Sequence, residues 1–174
     1  MSDNPHLGLA RSLDTLHLPM RDGSHVMVVD TVAEDGTIYN VVGVVTERFW
    51  HLEAQLYEGG FTLLVDRRDG TRYPMWDAPL ASPSGERLYV GSLDLEAGYN
   101  PNGIQIFRVI GDRLELEVEL HPDDWGPTGA RWVGDSIVEY TQVRLCETRD
   151  NPDSCESPGR IRWNGSAWRI EDVP

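Results

Sequence analysis

In the run from Arg113 to Leu120, RLELEVEL, apolar and acidic residues alternate without a fault from Leu114 onward. A strand has a side-chain period of two. That period puts Leu114, Leu116, Val118 and Leu120 on one face and Glu115, Glu117 and Glu119 on the other. Upstream, Gly111-Asp112 is a tight turn and Ile104 to Ile110 (IQIFRVI) is a second strand. Glu96 to Gly103 is a polar insertion, and Arg87 to Leu95 is a third strand opened by the turn Ser84-Gly85. The stretch Ser82 to Leu120 therefore reads as a three-stranded antiparallel meander with an insertion in its first connection.

The rest of the chain follows the same grammar. Residues 1–24 read as an irregular, mostly polar N-terminal strap, with Leu7, Leu9, Leu13, Leu16 and Leu18 making a helical turn or an extended band along the domain. His25 to Asp30 and Thr37 to Thr46, joined by Glu34-Asp35-Gly36, read as a hairpin. Trp50 to Tyr57 reads as a strand or one helical stretch, with the strand favoured; Phe61 to Val65 is a buried strand, and Asp66 to Gly70 turns back into Thr71 to Met75. Pro74 confines that last run to an edge or a strand end. At the C-terminus, Asn164-Gly165 is the strongest two-residue hairpin signal. With that turn Trp163 faces Ser166 and Ile161 faces Trp168. Ile161, Trp163, Trp168 and Ile170 then share one face, with Arg160, Arg162 and Arg169 on the other. The expected class is all-β, with residues 25–174 forming a single domain of antiparallel meanders.

Two units align. Trp76, Ser84-Gly85 and Leu88 correspond to Trp125, Gly134-Asp135 and Ile137, a spacing of about 49 residues that points toward propeller blades. The segment Ser82-Pro83-Ser84-Gly85-Glu86-Arg87-Leu88 resembles the S-P-D-G-K-x-L/I turn of bacterial propellers of the TolB and WD40-like group, with Ser84 where that pattern has Asp. The second copy, Val133 to Ile137, is degenerate. The resemblance implies a small or incomplete propeller-like arrangement that binds proteins or ligands on its faces. A twisted β-sandwich built from the same meanders is the alternative.

Composition narrows the partners. The chain carries 15 basic against 29 acidic residues, a net charge of −14. A charge of that sign disfavours nucleic acid and anionic membranes and suits a basic protein partner. Every basic residue other than histidine is Arg. The absence of Lys excludes Schiff-base, phosphate-loop and Ser-Lys chemistry. No apolar run approaches the roughly 20 residues of a membrane helix. The N-terminus lacks the pattern of a signal peptide. The abundance of Trp, Gly, Asn and turns nevertheless resembles an exported domain, so a periplasmic or secreted location is expected for a mature chain. Cys146 and Cys155 flank a polar loop, where an exported protein forms a disulfide.

The motifs that specify a reaction are missing: no G-x-S-x-G, H-E-x-x-H, G-x-G-x-x-G or C-x-x-C occurs. The five His residues are scattered, so no catalytic residue is expected. The insertion is the best local candidate for a site. Asp94, Glu96, Asn100 and Asn102 offer oxygen ligands to Ca²⁺, although Asx turns and Gly at positive φ explain the same residues structurally. Asp150, Asn151 and Asp153 are a weaker version of the same idea. The row Glu115, Glu117, Glu119 reads as a solvated strand face or a strip that meets a basic partner. Trp76 and Trp125, beside Asp77 and Asp124, are the expected exposed aromatic pair. With Asp77, Tyr99 and Asn100 they complete the expected partner-binding set.

The sequence thus favours a monomeric, non-enzymatic interaction protein without a cofactor. Its most concrete form is an inhibitor or immunity protein of a basic cell-envelope hydrolase or effector. The alternatives are a carbohydrate- or calcium-dependent binding module and a small hydrolase using a carboxylate pair.

Overall fold

In the computed structural model, residues 8–31, 36–145 and 155–171 are described. Cys146, Asp150, Asn151, Asp153 and the turn residues Glu34 and Asp35 lie outside them. The described chain is all-β. Fifteen strands form one three-stranded and three four-stranded antiparallel sheets, each a meander of consecutive strands. Among the described residues no helix is long and apolar enough to cross a membrane. The chain divides into two compact units, Met1–Met75 and Trp76–Pro174.

The first unit holds β1 (Ala10–Ser12), β2 (Thr15–Pro19) and β3 (His25–Val29) in one sheet. Its second sheet holds β4 (Ile38–Val45), β5 (Phe49–Gln55), β6 (Gly60–Asp66) and β7 (Arg72–Met75). The expected strap therefore carries two strands. Leu16 and Leu18 alternate with His17 along β2, and both are buried. The expected hairpin between His25–Asp30 and Thr37–Thr46 does not form, because β3 pairs with β2 and β4 pairs with β5. Each run meets an alternating neighbour closer in sequence, across the short turns at 20–24 and 46–48. Leu16, Leu18, Val28, Trp50, Leu52, Leu63 and Val65 make the core of this unit. The Trp50 indole N–H within it donates to the Pro19 carbonyl at 2.9 Å.

The second unit holds the sheet of β8 (Leu80–Ala81), β9 (Arg87–Ser92), β10 (Gly103–Ile110) and β11 (Arg113–Leu120). A second sheet follows, of β12 (Gly126–Val133), β13 (Ile137–Val143), β14 (Glu156–Trp163) and β15 (Trp168–Glu171). The two repeat units seen in sequence are these two sheets. What read as crossing connections contribute the first strand of each, β8 and β12. The turn that follows is alike in both, with Gly85 at φ 73° and Gly134 at φ 64°, a conformation that costs a residue with a Cβ. Tyr89, Ile104, Ile106, Trp125, Val138, Tyr140, Ile161 and Trp168 form a core shared by both sheets.

Two registers differ from the sequence reading. Asn164 to Ala167 form a four-residue loop, and Trp163 pairs with Trp168 and Ile161 with Ile170. The Asn164 carboxamide oxygen accepts the N–H groups of Ser166 and Ala167, which opens the turn by two residues. A shift of two preserves the faces, so the four apolar residues still share one side.

The second difference lies in β11. Ile106 pairs with Val118 but Phe107 pairs with Leu116, which leaves Glu117 as the extra residue of a β-bulge. A bulge reverses the phase of alternation. Leu114 and Leu116 share a face with Phe107 and Leu88. Val118 and Leu120 lie on the opposite face and pack on the core shared with β12–β15. The four apolar residues that alternate perfectly with glutamates in sequence thus do not share one face.

Candidate partner-binding face

The bulge divides the glutamate row into three environments. Glu115 stays in solvent, paired with Arg113 at 3.2 Å. Glu117 turns inward, its side chain only 11% exposed, and accepts from Arg87 Nε at 2.9 Å and the Trp168 indole N–H at 2.8 Å. Arg87 is itself buried. Its guanidinium lies 5.2 Å from the Trp163 ring centre and 5.6 Å from that of Trp168. It also donates to the Asp135 carbonyl at 3.1 Å. The Asp135 carboxylate in turn accepts the Ser84 N–H at 2.8 Å, which holds its pKa below the ordinary range. The turn that follows β8 and the turn that follows β12 are therefore bonded to each other, and Glu117 and Arg87 clamp the two sheets together. Glu117 belongs to the packing of the unit.

Glu119 lies on the face opposite the core and opposite Glu115, as register dictates. Gln105 Nε2 donates to its Oε2 at 2.9 Å, and His121 Nε2 lies 3.1 Å from its Oε1. The hydrogen bond from Gln105, then that from His121, keeps the carboxyl below its usual pKa. Gln105 is buried and accepts the Trp76 main-chain N–H at 3.3 Å. The Trp76 and His121 rings are 4.6 Å apart. Trp76, Gln105, Glu119 and His121 thus form one linked group, half of it in solvent. Sequence reasoning missed His121 and Gln105. The spacing of two between Glu119 and His121 along an extended segment was the available signal.

The insertion, Leu93 to Asn102, is built from its own carboxylate outward. Asp94 Oδ1 accepts the N–H groups of Ala97 and Gly98, and Oδ2 accepts that of Asn100 at 2.7 Å. The bond from Asn100, then that from Gly98, lowers the Asp94 pKa. Asn102 accepts the Asp94 N–H. It donates to the carbonyls of Pro122 and Trp125, both at 2.8 Å. The insertion is therefore tied to the connection 121–125 that follows β11. Asp94 and Asn102, expected as calcium ligands, spend these donors and acceptors on closing the loop, while Glu96 is exposed. Among the described residues no group of three or more His, Cys, Asp and Glu is placed to hold a metal ion.

Trp125, expected in solvent beside Trp76, is buried. Its ring stacks on Tyr140 with centres 5.7 Å apart and planes at 14°. Its alternation with Asp124 led the other way, because the chain enters β12 there. Tyr99 projects from the insertion, 55% exposed, and Leu93 is exposed as well. Asp77, Asp123 and Asp124 are exposed, and Arg144 reaches Asp124 at 3.7 Å. One end of the second unit thus presents Trp76, Asp77, Tyr99, Asn100 and His121 on connections, with Glu119 near the end of β11, within an acidic surround. Glu115, Glu117 and Trp125 do not belong to it.

A groove of about 510 Å³ runs over β12–β14, lined by Gly129, Arg131, Glu139, Pro158 and Arg160 among others. Both its arginines are paired with Glu139, Arg131 at 2.6 Å and Arg160 at 2.7 Å. Arg162 pairs with Glu171. Cys155 is disulfide-bonded; Cys146 lies outside the described residues. No protein-family model and no curated protein matches the chain.

Proposed function

We propose that this chain is a non-enzymatic interaction protein that recognises a basic protein partner through the loop end of its second unit. The concrete form favoured is an extracytoplasmic inhibitor or immunity protein of a basic hydrolase or effector. The resemblance to TolB and WD40-like propellers belongs to the same reading, since four-stranded meanders are the units of which propellers are made.

One observation carries the proposal: Trp76, Gln105, Glu119 and His121 are locked together at the surface by hydrogen bonds and ring contact. An aromatic ring and a carboxylate held in fixed geometry lose little entropy on binding. Hot spots combine such an anchor with a polar rim, and Tyr99, Asp77, Asp123 and Asp124 supply that rim. A cationic side chain of the partner would lie over Trp76 and bond Glu119.

The test is co-purification of a basic partner from a cell envelope, followed by titration with the purified pair. Glu119→Arg with Asp123→Arg and Asp124→Arg is expected to weaken binding at least tenfold, with a flatter salt dependence, as loss of charge pairing requires. Glu115→Arg leaves affinity unchanged. Equal effects of the two reversals, or binding indifferent to both, would remove this face from the argument.

A further inference from the structure

The opposite kind of surface exists in the first unit. Three turns meet there: residues 20–24 between β2 and β3, 46–48 between β4 and β5, and 67–71 between β6 and β7. They are stitched by main-chain hydrogen bonds, Arg21 N–H to the Arg67 carbonyl at 2.7 Å and Arg67 N–H to the Arg48 carbonyl at 2.9 Å. This stitching aligns arginines from all three turns. With Arg68, four of the fifteen arginines of an acidic chain gather at one place.

Their charges are unequally met. Arg48 and Arg68 both bond the fully buried Asp66, at 2.6 and 3.1 Å. Arg21 and Arg67 take part in no ion pair among the described residues. Both guanidiniums converge instead on one neutral acceptor, the Glu47 carbonyl, at 3.1 and 3.0 Å. Nearby carboxylates serve their own turns: Asp22 accepts from Ser24, and Asp69 from Thr71. Arg67 is fixed further by its guanidinium lying 4.8 Å from the Trp50 ring centre, and its Nε is buried with no acceptor. The Glu47 carbonyl is aimed by a turn in which Thr46 and Glu47 hold φ 51° and 56°, left-handed values that cost residues with a Cβ.

Two like charges held on one neutral oxygen repel, and each guanidinium carries five N–H donors. We infer that Arg21 and Arg67 form a site for a phosphate group. A carboxylate is planar and singly charged, and a single guanidinium meets it with two parallel bonds. Two separately anchored guanidiniums with no carboxylate in ion-pair contact suit a tetrahedral dianion, which phosphate approaches at neutral pH. The ligand class is a small phosphate or phosphate monoester, since the chain's net charge opposes anionic membranes.

The test uses inorganic phosphate and the full chain. Phosphorus NMR of added phosphate is expected to broaden with protein, saturably, and sulfate is expected to compete. Arg21→Gln removes an exposed side chain that makes one hydrogen bond, and loss of one charge-assisted contact weakens binding roughly tenfold. Phosphate and sulfate also stabilise proteins in general by exclusion from the surface. Thermal unfolding in phosphate against chloride at equal ionic strength is therefore compared between wild type and Arg21→Gln, with the site contribution lost in the variant. Arg21→Lys, which keeps the charge, is expected to retain part of it. Unbroadened phosphorus lines in wild type, or identical phosphate responses in wild type and Arg21→Gln, would overturn the assignment.

Discussion

Glu117 and Glu119 stand two residues apart in one strand, chemically identical and, by alternation, on the same face. The structure separates them completely. Glu117 is the extra residue of a bulge, half-buried and bonded to Arg87 and the Trp168 indole. Glu119 resumes the ladder on the other face and joins Gln105, His121 and Trp76 at the surface. One inserted residue has turned a uniform acidic strip into a structural clamp and a candidate recognition group. Like charges in a row need not share a role, because burial sets the worth of each: removing one partner of a buried pair leaves a costly lone charge, whereas an exposed pair contributes little.

The largest effect is expected at the other end of the clamp. Arg87→Ala removes the ion pair, both aromatic contacts and the bond to the Asp135 carbonyl, and strands Glu117 away from water. Denaturant unfolding is expected to show a loss of about 3–5 kcal/mol. A loss under about 1 kcal/mol would mean that Glu117 is hydrated and the two glutamates are not so different.

Acid sharpens the contrast more gently. At Asp66 burial works against ionisation, but hydrogen bonds from Arg68 and Arg48 outweigh it and its pKa is lowered. Those of Glu119 and Asp94 are lowered as well. A carboxylate whose folded pKa lies below its unfolded value stabilises the fold above the unfolded value, near 4, and that contribution is lost as pH falls through the folded one. Stability is therefore expected to hold from neutrality to about pH 5 and to decline below it. Hydrogen exchange at Ala97, Gly98 and Asn100 reads the Asp94 part separately. Asp94→Ala is expected to abolish protection at these three amides without changing protection in β10. Unaltered protection would show that the loop closes without its carboxylate.

Much of this arrangement was legible in the sequence, and the gaps have physical reasons. The strands β9, β10 and β11 follow from alternation and from Gly111-Asp112, because period and turn chemistry agree there. The bulge at Glu117 left no trace, since it needs no special residue and the letters RLELEVEL alternate through it. The strands β8 and β12 were hidden in proline- and glycine-containing runs, where pairing with β9 and β13 decides. β2 was missed because its leucines fit both a helical and an extended spacing, and only the partner strand β3 chooses between them. The members of the surface cluster were partly foreseen. Trp76 and Glu119 were named, while Gln105 and His121 enter through tertiary contacts that no local pattern encodes. Trp125 was misplaced because an aromatic residue beside aspartates looks exposed until the strand it opens is known.

The most direct test sets Glu117→Gln beside Glu119→Gln in chemical denaturation under identical conditions. A loss of about 3 kcal/mol or more is expected for Glu117→Gln, which leaves Arg87 buried without its counter-charge, and at most about 1 kcal/mol for Glu119→Gln. Equal losses would contradict the division of the row and return both glutamates to a single solvated face.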